Sequence, residues 1–101
     1  MEVDVNKCTS DGWLPIQLAM DLKDPYYIER ILAQPSINLN LVTSRGSPLH
    51  MAAKEGNKEQ LIMLLDKDVD IHIKDNHGKL PIDICNDEEC TILLKKYEDK
   101  K

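Results

Sequence analysis

Pro15, Pro48 and Pro81 stand 33 residues apart, and their surroundings repeat with them. The chain reads Leu14-Pro15-Ile16-Gln17-Leu18-Ala19, then Ser47-Pro48-Leu49-His50-Met51-Ala52, then Leu80-Pro81-Ile82-Asp83-Ile84-Cys85. A period of this length belongs to small units that stack on one another, because one unit cannot bury both of its faces alone. Proline suits the first turn of a helix, where its missing N–H has no partner to lose. Ser47 precedes the middle proline as a good N-cap. Each copy is therefore expected to open a short helix at its proline.

Two further features keep the same phase. Ile28, Ile31 and Leu32 recur as Leu61, Leu64 and Leu65, and again as Cys90, Leu93 and Leu94. The i, i+3, i+4 spacing marks the buried stripe of a second, longer helix. The last recurrence comes four residues early, so copy three carries a deletion. This second helix is expected to open at Asp24-Pro25 in copy one. In copy two it opens at Asn57, with Gln60 placed for a capping box. Gly56 suits the loop between the two helices. Val3-Asp4-Val5-Asn6, Ile37-Asn38-Leu39-Asn40 and Val69-Asp70-Ile71-His72 alternate apolar and polar residues, each run starting nine residues before a glycine: Gly12, Gly46 and Gly78. Alternation that leads to a turn glycine predicts a short extended arm or hairpin.

Residues 45–78, with Ser47-Pro48-Leu49-His50-Met51-Ala52-Ala53, Gly56, Leu64-Leu65 and Val69-Asp70-Ile71, resemble an ankyrin repeat. The flanking copies match more loosely. The resemblance implies an all-α solenoid of about three stacked helix-turn-helix units with short β-hairpin arms, in a single domain. The expected parts are a partial leading arm (1–10), repeat 1 (11–44), repeat 2 (45–77), a shortened capping repeat 3 (78–97) and a tail (98–101). Several positions depart from the family pattern. Leu14 and Leu80 replace a capping Thr or Ser, a loss of about 1 kcal/mol each. Gln17 and Asp83 replace the family's His, which His50 supplies in the middle. Arg45 occupies the usual glycine position, with Gly46 one place later. Val3 to Asn6 matches an arm that follows the second helix of a preceding repeat. With roughly three units as the minimum for stability, a marginal or partner-assisted fold is expected.

Composition narrows the function classes. Asp plus Glu number 18 against 13 Lys plus Arg, a net charge of −5. Phosphate contact relies on Lys and Arg, so nucleic acid and anionic membranes are poor partners. No apolar run is long enough to cross a membrane. Three cysteines in so small a chain are not a disulfide framework, which points to a reducing, cytoplasmic setting with the nucleus as an alternative.

Catalysis and metal binding have weak candidates. Ser47 and His50 could pair as nucleophile and base, but the repeat assigns them to a helix cap and a structural hydrogen bond. His72, His77, Cys85 and Cys90 offer zinc-like spacings, yet Cys85 and Cys90 align with small buried positions. No cofactor and no enzymatic activity are expected.

Partner binding remains. In the family the concave face is made by hairpin tips and the exposed side of the first helix. Transferred by position, recognition residues are Ser10, Asp11, Trp13, Asp21 and Leu22 in copy one. They are Thr43, Ser44, Gly46, Lys54 and Glu55 in copy two, and Asn76, His77, Lys79, Asp87 and Glu88 in copy three. Trp13, the single tryptophan, and Leu22 are expected to form an apolar hot spot rimmed by Asp11 and Asp21. The alternative for Trp13 is packing against an upstream repeat or the chain's own edge. Tyr26 and Tyr27 are expected on the convex side, and Asn40 stands where some ankyrin proteins are hydroxylated. The expected function is a protein–protein interaction module, an adaptor, scaffold or targeting domain, acting as a monomer or as part of a longer chain. The alternative is the N-terminal regulatory segment of a larger enzyme, lipid-transfer protein or channel.

Overall fold

A computed structural model describes residues 6–67 and 69–98. Val3, Asp4 and Val5 of the leading arm, and the end of the tail, lie outside the described residues. The elements run α1 (Pro15–Leu22), α2 (Pro25–Leu32), α3 (Pro48–Glu55), α4 (Lys58–Leu65), a 3₁₀ turn (Pro81–Ile84) and α5 (Glu88–Glu98). Each of the three prolines opens an equivalent element. In the first layer α1 packs on α3, and α3 on the 3₁₀ turn. In the second, α2 packs on α4, and α4 on α5. The sequence expectation of a longer second helix holds only in copy three. Elsewhere both helices have 8 residues, whereas α5 has 11 and its partner is cut to 4. The four-residue deletion therefore falls between the helices of copy three and shortens its first helix.

The stripe residues form the core. Leu61, Leu64 and Cys90 are fully buried, Ile28, Leu32, Leu65 and Leu94 nearly so, and Ile31 and Leu93 are packed against them. Cys85, expected to be buried, is only half-buried, because the shortened 3₁₀ turn ends just before it.

The first-helix openings differ less than their sequences suggest. Ser47 Oγ accepts the His50 backbone N–H at 3.2 Å, and the Ser47 N–H donates to His50 Nδ1. Leu14 supplies no cap, but its N–H donates to Gln17 Oε1 at 3.0 Å. Leu14 itself is 2% exposed. Burying a leucine is worth about 1.5–3 kcal/mol, which exceeds the roughly 1 kcal/mol lost with the cap.

The loops between helices reveal a second equivalence. Gly56 and Lys23, 33 residues apart, both adopt the left-handed conformation, at φ +67 and +56. Glycine enters that region without penalty, whereas a side chain costs about 1–2 kcal/mol. Asp24 and Asn57 then cap the second helices by accepting from Tyr26 N and Gln60 N. The Gln60 side chain does not close the capping box. Its Nε2 donates instead to the Met20 carbonyl at 2.8 Å, across the inter-repeat boundary.

The arms are turns rather than strands. Asn40 N donates to Asn38 Oδ1, and His72 N to Asp70 Oδ1, each at 2.9 Å. These matching Asx turns leave Leu39 and Ile71 buried and their neighbours outside. Alternation here arises from a side chain capping its own turn, and among the described residues the only β pairing is one bridge, Thr43 to Gly46.

Candidate functional site

The tips of the three copies are tight turns of four residues, Thr9 to Gly12, Thr43 to Gly46 and Asp75 to Gly78. In each, the glycine N–H donates back to the first residue's carbonyl, at 2.9–3.0 Å. The first residue's own N–H reaches the carbonyl two places before the proline: Trp13, Gly46 or Lys79. Gly46 therefore serves both as turn glycine and as acceptor, which is how the middle copy absorbs its one-residue shift.

Each of these acceptors except the first also receives a side chain from the preceding copy. Gln17 Nε2 donates to the Gly46 carbonyl at 2.9 Å. His50 Nε2 meets the Lys79 carbonyl at 2.8 Å. A carbonyl only accepts, so Nε2 carries the proton and Nδ1 is left to accept from Ser47. Gln17 and His50 are both bifunctional, accepting from their own helix opening and donating to the next copy. Asp83, at the same position, accepts from Leu80 N at 3.0 Å. An ionised carboxylate cannot also donate, so the ladder stops there.

The tips are stacked directly as well. Asn76 Nδ2 donates to the Thr43 carbonyl, and an Arg45 guanidinium N–H to the Asp11 carbonyl at 3.5 Å. The Arg45 guanidinium lies 3.8 Å from the Trp13 ring centroid. Trp13 is thus half-buried, with one face covered by the next tip. At copy three, the Asp75 carboxylate accepts from Lys79 N and His77 N. The bond from Lys79, followed by that from His77, holds its pKa below the ordinary value against some desolvation.

The sequence-selected residues fall into two groups. Ser10, Asp11, Ser44, Asn76, His77 and Lys79 are exposed on the tips, as are Asp21, Leu22, Lys54 and Glu55 on the first helices and Glu88 at the start of α5. Thr43 and Gly46 are buried, and Asp87 is half-buried. Thr43 Oγ1 donates to Gln17 Oε1 and the Gly46 carbonyl, so its role is to brace the tip. Trp13 and Leu22 stand at opposite ends of α1, about 12 Å of helix apart. Arg45 departs from the repeat pattern and is not among the residues transferred by position. Its signal was its place at the shifted tip, one short period after Trp13.

The other candidates have structural duties. Ser47 Oγ and His50 Nδ1 are 2.7 Å apart, but both residues are essentially unexposed and a substrate would have no access. Burial raises the pKa values of Cys85 and Cys90, Asp87 adding to the effect at both. His72 pairs with Glu98 at 3.3 Å when its ring is protonated. Among the described residues, no three His, Cys, Asp or Glu side chains are grouped to hold a metal. A cleft of about 240 Å³ lies between the C-terminal halves of α2 and α4, lined by Glu29, Leu32, Met63, Asp66 and Lys67. Asn40 Oδ1 accepts the Asp70 N–H at 2.8 Å, so this side chain ties one loop to the next. No helix among the described residues is long and apolar enough to span a membrane.

Comparison with known proteins agrees with this geometry. Residues 31–85 match the family model for ankyrin repeats in many copies. The ankyrin repeat protein FPV230 of fowlpox virus (strain NVSL) is 36% identical over 71 residues, covering 69% of this chain and 38% of the viral protein. The crystal structure of the Osh1 ANK domain of Saccharomyces cerevisiae superposes with a TM-score of 0.71 at 21% identity, over 85% of this chain and 41% of that one. The chain thus spans well under half the length of both. With more than half of its residues inside the family model, and its three prolines opening stacked equivalent units, this chain belongs to the ankyrin repeat family.

Proposed function

We propose that the chain recognises another protein through its row of tips and the exposed side of its first helices, as an adaptor or targeting module. Ankyrin repeats are in general protein–protein interaction modules. The observation that carries the finer reading is the contrast between fixed backbone and free side chains at the tips. Gln17, Thr43, Arg45, His50 and Asn76 tie the turns into one rigid row. Ser10, Asp11, Ser44, His77 and Lys79 remain exposed along it. A row fixed in advance loses little conformational entropy when it binds. The Trp13–Arg45 stack gives it one amphipathic anchor of the kind enriched at interfaces. Three free thiols support operation in a reducing compartment.

Affinity capture with wild type and Trp13→Ala, read by mass spectrometry, tests this reading. A specific partner should lose about 2 kcal/mol or more of binding energy to the variant, with the unfolding midpoint nearly unchanged. Equal capture by both would show that the tips are not the docking face. A second reading, a regulatory ankyrin segment within a larger enzyme, lipid-transfer protein or channel, is supported by the greater length of the viral relative and of the Osh1 ANK chain. The complete open reading frame decides it.

A further inference from the structure

Copy two shows what normally covers the leading side of a unit. Its Met51, Gln60 and Leu64 are half-buried, 4% exposed and 0% exposed. Gln60 also donates to the carbonyl of Met20 near the end of α1. The residues 33 places earlier are Leu18, Tyr27 and Ile31. Leu18 is 39% exposed, Tyr27 is 55% exposed and Ile31 is half-buried. At two flanking positions copy two carries exposed Glu55 and Glu59, whereas copy one carries Leu22 and Tyr26, 72% and 61% exposed. The leading side of copy one thus exposes apolar residues at helix positions whose counterparts in copy two are covered, Leu18, Tyr27 and Ile31, and extends them with Leu22 and Tyr26 where copy two carries exposed glutamates.

Asn6 identifies the occupant. Asn40, in the arm that ends copy one, accepts the backbone N–H of Asp70 in the next arm. Asn6 holds the same place 34 residues earlier, and its Oδ1 accepts the backbone N–H of Asn38 at 2.7 Å. Its Nδ2 also donates to the Ser36 carbonyl. The arm around Asn6 is therefore docked in the register of an arm that ends a preceding unit. A second copy of this chain is a poor candidate for head-to-tail stacking, because its copy three presents Asp83, which has no donor for the carbonyl that Gln17 and His50 reach. We propose that Leu18, Tyr27 and Ile31, with Leu22 and Tyr26 at their margin, form an unfinished inter-repeat interface that receives one further ankyrin-type helix pair on the N-terminal side of Asn6. Tyr27 occupies the Gln60 position and carries a donor hydroxyl where Gln60 supplies a donor amide.

An extended chain tests this proposal. A duplicate of residues 36–68 placed directly before Val3 brings a whole 33-residue unit into register with the existing arm. The full chain and the extended chain are unfolded in urea with Trp13 fluorescence as the probe, and tyrosine nitration at Tyr26 and Tyr27 is followed by mass spectrometry. The proposal expects a single transition at higher urea and nitration of Tyr27 slowed about tenfold or more, as for a group reached only by local opening. Leu18→Asp, at a partly exposed site, should leave the original chain's midpoint nearly unchanged and abolish the gain from the added unit. An added unit that melts separately, leaving the midpoint and the nitration rate as they were, overturns the proposal. So does concentration-dependent self-association of the original chain that protects Tyr27, because a second copy would then be the occupant.

Discussion

The residue two places after the proline holds Gln17 in copy one, His50 in copy two and Asp83 in copy three. The first two reach the next unit's backbone and the third does not. Gln17 and His50 are 0% and 1% exposed, whereas Asp83 is exposed. Gln17 and His50 are unlike in shape but alike in chemistry, each offering one acceptor and one donor in opposite directions. Asp83 keeps the acceptor alone. Side-chain identity at this position therefore follows whether a neighbour's carbonyl is there to accept a second hydrogen bond.

The largest effects should come from breaking that ladder where it is buried. His50→Ala removes one of the two donors to the Lys79 carbonyl, leaves the Ser47 N–H without its partner and opens a void, a loss of about 3 kcal/mol. His50→Gln, which copies the chemistry of copy one, should lose no more than about 1 kcal/mol. Asp83→Ala, at an exposed site, should lose less than about 1 kcal/mol. Urea unfolding of the three variants separates them. If His50→Gln were as damaging as His50→Ala, the equivalence of Gln17 and His50 would be broken.

The comparison of Leu14 with Ser47 is sharpened by exchanging their chemistry. Leu14→Ser restores a cap but removes a core side chain, so it should lose about 1 kcal/mol net. Ser47→Ala should lose about 1 kcal/mol by removing a cap with no compensating burial. A stabilising Leu14→Ser would show that the missing cap is an uncompensated defect.

The inter-helix loops give a gain. Lys23→Gly places at φ +56 the residue that Gly56 supplies in copy two. It should raise stability by about 0.5–1 kcal/mol. Thermal denaturation that finds a loss instead would mean that Lys23 makes a contact worth more than its strained backbone.

The smallest effect is at the third tip. Asp75 has a depressed folded pKa, so its contribution is complete above its unfolded pKa. It is lost as pH falls through the lower folded value. Stability should therefore decline in acid below about pH 4, and Asp75→Asn should flatten that decline. An unchanged acid slope in Asp75→Asn would remove this role.

Much of the fold was legible because proline, glycine and the helical stripe each act locally. Pro15, Pro48 and Pro81 fix where units begin, and Ile28, Leu61 and Cys90 fix which side is buried. The arms differ from the extended expectation because an Asx turn at Asn38 or Asp70 produces the same alternation as a strand. Gln17 was hidden because the ladder depends on donor and acceptor capacity across a boundary, which residue-type similarity to histidine does not reveal. Of the candidate face, the exposed tip positions followed from the repeat register. The covering of Trp13 by Arg45 did not, because it depends on how one tip overlies the next.

Rigid display requires that the three units unfold as one body. Trp13, the single tryptophan, reports on the first tip by fluorescence, and far-UV circular dichroism reports on the helices, five among the described residues. Urea titrations followed by both probes should give coincident transitions with one midpoint. A tryptophan transition separated from the helical one would show that the first tip is not locked to the stack, contradicting the inter-repeat ladder as the link that holds the units together.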